Sequence, residues 1–171
     1  RIALSLGIAT PRFWIVEHER DLANIPGHFP LFVKPAWEGS SKGIRRSSQV
    51  HSTKELACEA SRLLHDYPGV PVLVEEYVAG QDATVGVLGN QNPTVLGVME
   101  IGCETGRSED FCYSLETKRD WQKLVAYHVP TRWGEACERR IGEVALLLFK
   151  TLGLRDVARF DFRVNTKGEF Y

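Results

Sequence analysis

Apolar and polar positions along the chain change period several times, and each change marks a predicted element. "PRFWIV" (11–16) predicts a strand opened by proline, and "FPLFVKPA" (29–36) predicts a second, buried strand that stops where Pro35 removes a ladder donor. Only a short polar connection separates them. "HSTKELACEASRLLHD" (51–66) switches to a helical period, with apolar residues at 56, 57, 60, 63 and 64 on one face. Ser52 is its N-cap and Glu55, three residues on, completes a capping box. "VLVEEYV" (72–78) returns to strand and turns acidic at its carboxyl end, and Gly80 marks a bend.

"DATVGVLGNQNPTVLGVMEI" predicts two strands around "NQNP", a hairpin built on residues that tolerate left-handed backbone or fix φ. Residues 103–133 have no clear period; such polar, interrupted stretches run over the surface near sites. "GEACERRIGEVALLLFKTLGL" (134–154) predicts a helix with apolar residues at 141, 144, 145, 148 and 149 and Gly153 as its C-terminal stop. "VARFDFRV" alternates as a strand, "NTKG" turns, and "EFY" starts a returning strand. Strands joined sometimes by helices and sometimes by tight turns give a mixed α+β class. The sequence has neither a GxGxxG between strand and helix nor a GxxxxGK[ST] loop, so a Rossmann domain and a P-loop are both disfavoured.

Composition narrows the partners. The chain has 171 residues, 43% of them apolar, enough for a sizeable core in one domain or two small lobes. A net charge of −1 offers no field for nucleic acid or an anionic membrane surface. The four cysteines show no CxxC pair and read as reduced thiols in cytosol rather than a zinc site or disulfide framework. No apolar run approaches the roughly 20 residues that cross a bilayer, and a signal-peptide pattern is missing from the start. These features predict a soluble cytoplasmic protein. A first residue Arg1 and a last stretch that reads as a strand cut short suggest part of something longer.

Three stretches could carry chemistry. In "FVKPAWEGSSKGI", Lys34 at a strand end can serve as a point charge on a phosphate. The loop after it contains Glu38, Gly39, Ser40, Ser41 and Gly43, whose backbone N–H groups and hydroxyls can cover an anion. The same residues also fit a snorkelling edge lysine followed by a hairpin turn. In "VEEYVAGQDATV", a buried strand delivers Glu75, Glu76, Tyr77 and Val78 to a bend with Asp82 beyond. An adenine slot with a ribose carboxylate needs such a set, and so does a strand simply emerging into solvent. In "ARFDF", Arg159 and Asp161 share one face of a strand. They suit charge stabilisation on a transferring phosphoryl group and a Mg²⁺ ligand, or else a salt-bridged pair on an exposed sheet.

In order, "GIATPRFWIV", "PLFVKPAWEGSSKGI", "VLVEEYVAGQDATVGVLG", "YSLETK" and "ARFDFRVNTKGEFY" resemble landmarks of the ATP-grasp enzymes, most closely the D-alanine–D-alanine ligase group. The resemblance implies an ATP-grasp fold of two lobes, each a largely antiparallel sheet with helices, gripping ATP and Mg²⁺ (or Mn²⁺) in a cleft between them. It puts residues 1–10 at the end of a preceding helix, 11–78 in the first lobe and 79–171 in the second. Lys34 looks like the lysine on the α and β phosphates, and Glu38 and Gly39 like part of the nucleotide-binding loop. Ser40 and Ser41 resemble the serines that close over substrate and γ-phosphate. Glu75, Glu76, Tyr77 and Val78 resemble the hinge that meets adenine, Asp82 the acidic residue on the ribose, and Lys118 a lysine near the γ-phosphate. Arg159 matches the transition-state arginine and Asp161 a metal ligand.

The activity so implied is ATP-dependent amide formation between a carboxylate and an amine through an acyl phosphate, on small amino-acid-like substrates in peptidoglycan biosynthesis. A homodimer through parts outside this stretch is compatible with it. Alternatives are a non-catalytic nucleotide-binding module and a ligase for other amino acids or small peptides. Two departures favour them: Arg119 stands where many such ligases have tyrosine, and Lys42 where an apolar residue is common. The family's E-x-N metal pair would fall about three residues past Tyr171, so this stretch alone is expected to bind metal poorly and to be inactive.

Overall fold

The computed structural model describes residues 1–103 and 113–171. Their order is helix α1 (Ile2–Ser5), strand β1 (Phe13–Val16), strand β2 (Leu31–Pro35), the two-residue strand β3 (Gln49–Val50) and helix α2 (Thr53–Asp66). Strands β4 (Val72–Glu76), β5 (Gly80–Leu88) and β6 (Thr94–Cys103) follow. Helices α3 (Leu115–Arg119) and α4 (Trp121–Leu124), strand β7 (Val125–His128), helix α5 (Glu135–Thr151) and strand β8 (Val157–Asn165) complete the chain. Two four-stranded sheets result, ordered β1-β4-β2-β3 and β7-β6-β5-β8. Every pairing in them is antiparallel. The architecture is α+β.

The described residues fall into two compact units, one of Pro11–Tyr77 with 113–121 and the other of Arg1–Thr10 with 78–103 and Gln122–Tyr171. In the first unit, α2 covers one face of its sheet. Half of the predicted capping box forms, for Glu55 N donates to Ser52 Oγ at 3.2 Å, while the Glu55 carboxylate accepts not from the Ser52 amide but from His51 N, one residue earlier, at 2.9 Å. Those bonds hold the Glu55 carboxyl below its usual range, the His51 amide contributing most. Leu56 and Leu63 then pack on Val16, Leu31, Val33, Val50, Val72 and Val74. Because strand side chains alternate, the other face is left to Ile15, Phe32, Lys34, Leu73 and Glu75.

In the second unit, α5 lays Cys137, Ile141, Ala145 and Phe149 against Ala83, Val85, Val87, Val98, Phe162 and Val164. The helix ends in a Schellman motif: Gly153, at φ +62°, donates to Lys150 O, and Leu154 N reaches Phe149 O. Burial raises the Cys137 thiol above its ordinary pKa, the behaviour of a packing residue. Gly80, where a bend was expected, opens β5, and a Cβ there would lie 2.0 Å from Val164 O. The "NQNP" turn joins β5 to β6 as anticipated, with Leu88 opposite Thr94. "NTKG" reverses the chain so that Phe170 pairs with Val164.

The aperiodic stretch between β6 and α5 holds two short helices and strand β7. Ser114 caps α3 through Thr117 N at 3.2 Å. Buried Glu100 joins β6 to the start of α5 by accepting from Arg132 N at 2.8 Å and from its Nε at 2.9 Å. No helix among the described residues is long and apolar enough to cross a membrane.

Candidate functional site

Each sheet has a helix on one face and polar side chains on the other, so the candidate groups divide into two sets. In the first unit, Lys34 Nζ lies 2.6 Å from Glu75 Oε2. The two come from neighbouring strands on the face away from α2 and are partly buried, at 32% and 18% exposure. Glu76 points the other way in the alternation, near Arg12 at 3.9 Å. Tyr77 N is bound to Pro30 O at 3.2 Å and its ring stands 6.4 Å from Phe32.

The loop after β2 is a pair of tight turns, with Lys42 N on Gly39 O at 3.0 Å and Ile44 N on Ser41 O at 3.1 Å. Ser40 and Ser41 both hold left-handed backbone, at φ 54° and 58°, which non-glycine residues seldom adopt. Ser41 Oγ donates to Tyr113 O at 2.8 Å. Glu38 is met by Lys42 at 3.4 Å, and the Lys118 ammonium stands 4.7 Å over the Tyr113 ring. Behind the loop, Arg62 Nη2 donates to Gly43 O at 2.8 Å while its Nε binds Glu59 at 3.0 Å. Burial would raise the Glu59 carboxyl, but hydrogen bonds and charge from Arg62, with Ser47 and Ser48, outweigh it and hold it below its usual range.

In the second unit the face away from α5 carries a row of charge. Arg159 lies opposite Gly86, Asp161 opposite Thr84 and Arg163 opposite Asp82. Asp161 accepts from Thr84 Oγ1 at 2.8 Å and from Arg159 Nη2 at 3.1 Å, and its Oδ1 is ion-paired with Arg159 Nε at 3.0 Å. Arg163 Nη1 donates to Asp82 Oδ1 at 3.0 Å, and its Nε to Val78 O at 2.9 Å. The sequence reading of "ARFDF" stopped one alternation short of Arg163 and did not reach Thr84. Period-two counting from Asp161 and Asp82 would have found both. No group of three or more His, Cys, Asp or Glu side chains able to hold a metal occurs among the described residues. A single carboxylate such as Asp161 does not make a Mg²⁺ or Mn²⁺ site by itself.

The family model "D-ala D-ala ligase C-terminus" matches residues 4–171. The chain belongs to that family. A D-alanine–D-alanine ligase of Aquifex aeolicus is 33% identical over 172 residues, covering 100% of this chain and 54% of the relative. The vancomycin C-type resistance protein VanC1 of Enterococcus gallinarum is 32% identical, covering 100% and 48%. The crystal structure of the VanG D-Ala:D-Ser ligase from Enterococcus faecalis superposes with a TM-score of 0.76 at 27% identity, covering 99% of this chain and 48% of that one. This member of the D-Ala–D-Ala ligase C-terminal family spans about half the length of the curated relatives it matches.

Proposed function

We propose that the chain is the nucleotide-binding part of an ATP-dependent carboxylate–amine ligase of the D-alanine–D-alanine ligase kind, acting on small amino-acid-like substrates. The observation that carries this reading is the row Arg159, Asp161 and Arg163 on β8, set against Thr84 and Asp82 on β5, on the face its helix leaves open. A sheet held together only by packing gains little from aligning five polar side chains there. A polyanion and a sugar need such an array.

Assigned to that chemistry, Lys34 meets the α and β phosphates, held at its strand end by Glu75. Gly39, Ser40 and Ser41, with Glu38 beside them, cover the terminal phosphate by backbone and hydroxyl donors, and Lys118 adds charge. The Glu75–Val78 strand end receives adenine and Asp82 accepts from the ribose. Arg159 neutralises charge on the transferring phosphoryl group, while Asp161 would supply one oxygen toward Mg²⁺ together with ligands from outside the described residues, and the ion, when bound, would neutralise phosphate charge. The protein's work is positioning and charge neutralisation, as phosphoryl transfer requires. The same reading puts the protein in the cytoplasm, where ATP is available. ADP release by the full-length parent protein with a panel of D- and L-amino acids tests it: stimulation by at least one carboxylate is expected, and the absence of any stimulation overturns it.

A further inference from the structure

Arg163 does two things at once, since its Nε holds the carbonyl of Val78, just before β5, and its Nη1 holds the Asp82 carboxylate two residues inside that strand. The guanidinium is mostly buried, at 18% exposure, and Asp82 is 28% exposed. Antiparallel register fixes this geometry, because Arg163 and Asp82 are direct partners across β5 and β8. Gly80, between the two acceptors, is pressed against Val164 O, so the backbone that presents Val78 and Asp82 cannot be padded by a side chain.

We propose that Arg163 is a positioning residue for nucleotide recognition, locking the Val78 peptide and the Asp82 carboxylate into one frame, so that base and ribose are read together. This rests on the functional reading above. A planar fork with several fixed donors can span two acceptors in this way, whereas a lysine offers one point of charge. Val78 O, once occupied by Nε, orients its peptide plane beside the base. Asp82, held in place by the guanidinium, is oriented to accept hydrogen bonds from ribose hydroxyls. Arg163 therefore sets selectivity for a nucleotide carrying both the 2′- and 3′-hydroxyls.

Binding of ATP and 2′-deoxy-ATP to the chain, measured by calorimetry, tests the inference. The wild-type chain is expected to prefer ATP. Arg163→Met should weaken ATP binding about tenfold, the scale of one charge-assisted hydrogen bond, and erase most of the preference over 2′-deoxy-ATP. Loss of fold alone would lower affinity for both nucleotides alike, so the ratio is the deciding readout. Arg163→Lys, which keeps the charge and is the gentler change for folding, should retain intermediate affinity with a reduced ratio. If either folded variant keeps the wild-type ratio, the inference is overturned while the functional reading stands. If the wild-type chain binds neither nucleotide, the functional reading fails and takes the inference with it.

Discussion

Lys34 Nζ and Glu75 Oε2 stand 2.6 Å apart on adjacent strands, both turned away from the helix that covers their sheet. Lys34 lies opposite Leu73 in the β2–β4 ladder, so the ammonium is delivered from a paired strand. Glu75 holds the side chain extended rather than folded back along the strand.

Lys34→Ala should therefore separate binding from stability. Losing a partly exposed ion pair costs about 1 kcal/mol at most. Nucleotide affinity should fall tenfold or more, since a phosphate loses its cation. Calorimetric titration with ATP beside a thermal melt checks both, and unchanged affinity in a folded variant would remove Lys34 from the site.

Arg159 and Asp161 form an exposed pair, at 69% and 60% exposure, so neither is needed for folding. Made in the full-length parent, Arg159→Met should leave the melting temperature within a few degrees of wild type and lower ligase turnover about a hundredfold or more, in line with the loss of one preorganised charge-stabilising donor. Steady-state ADP release measures it. A drop in stability without a drop in turnover would mark the pair as structural.

Ser41 combines an uncommon backbone conformation with a bond to Tyr113 O at 2.8 Å. Ser41→Ala keeps the conformation and deletes the bond, so it should destabilise by about 1 kcal/mol. Ser40→Gly at φ 54° removes the left-handed penalty and should cost little or stabilise slightly. Chemical denaturation midpoints distinguish the two.

Glu59 and Arg62 give the first unit an acid-sensitive support beneath its loop. The Glu59 carboxyl is lowered in the folded state from an ordinary value of 4.5, so its contribution is fully present above that pH. It fades as pH falls from there through the folded value. Glu59→Gln should therefore flatten the loss of stability below about pH 4.5, as urea midpoints across pH 3–6 would reveal. Arg62→Leu strands a buried carboxylate and should cost about 3 kcal/mol at neutral pH.

Gly80→Ala is expected to be among the harshest single changes, because the added methyl would meet Val164 O at 2.0 Å and only backbone can yield. A loss of about 3 kcal/mol or more, read from the melt, is the expected result.

Local rules carried the chain a long way. Ser52 and Glu55 announced α2, Gly153 announced the end of α5, and alternation from Ala158 to Val164 announced β8, because caps, stops and strand faces depend on neighbours within a few residues. The alternation also put Arg159 and Asp161 on one face, and the order of motifs pointed to the ATP-grasp enzymes. What the sequence left unread was β3, α3, α4 and β7, which are short and weakly periodic. Ser114 was a legible cap for α3, but a five-residue helix has too few turns to show a face.

Sequence by itself determined the longer elements and the α+β class, and it named most of the candidate side chains. Tertiary structure decided which of those side chains meet: that Glu75 holds Lys34, that Thr84 completes the Asp161 pair, and that Arg163 spans Val78 and Asp82. These contacts join residues up to 85 positions apart, and they follow from strand register, which is set by burying one face of each sheet rather than by any local preference.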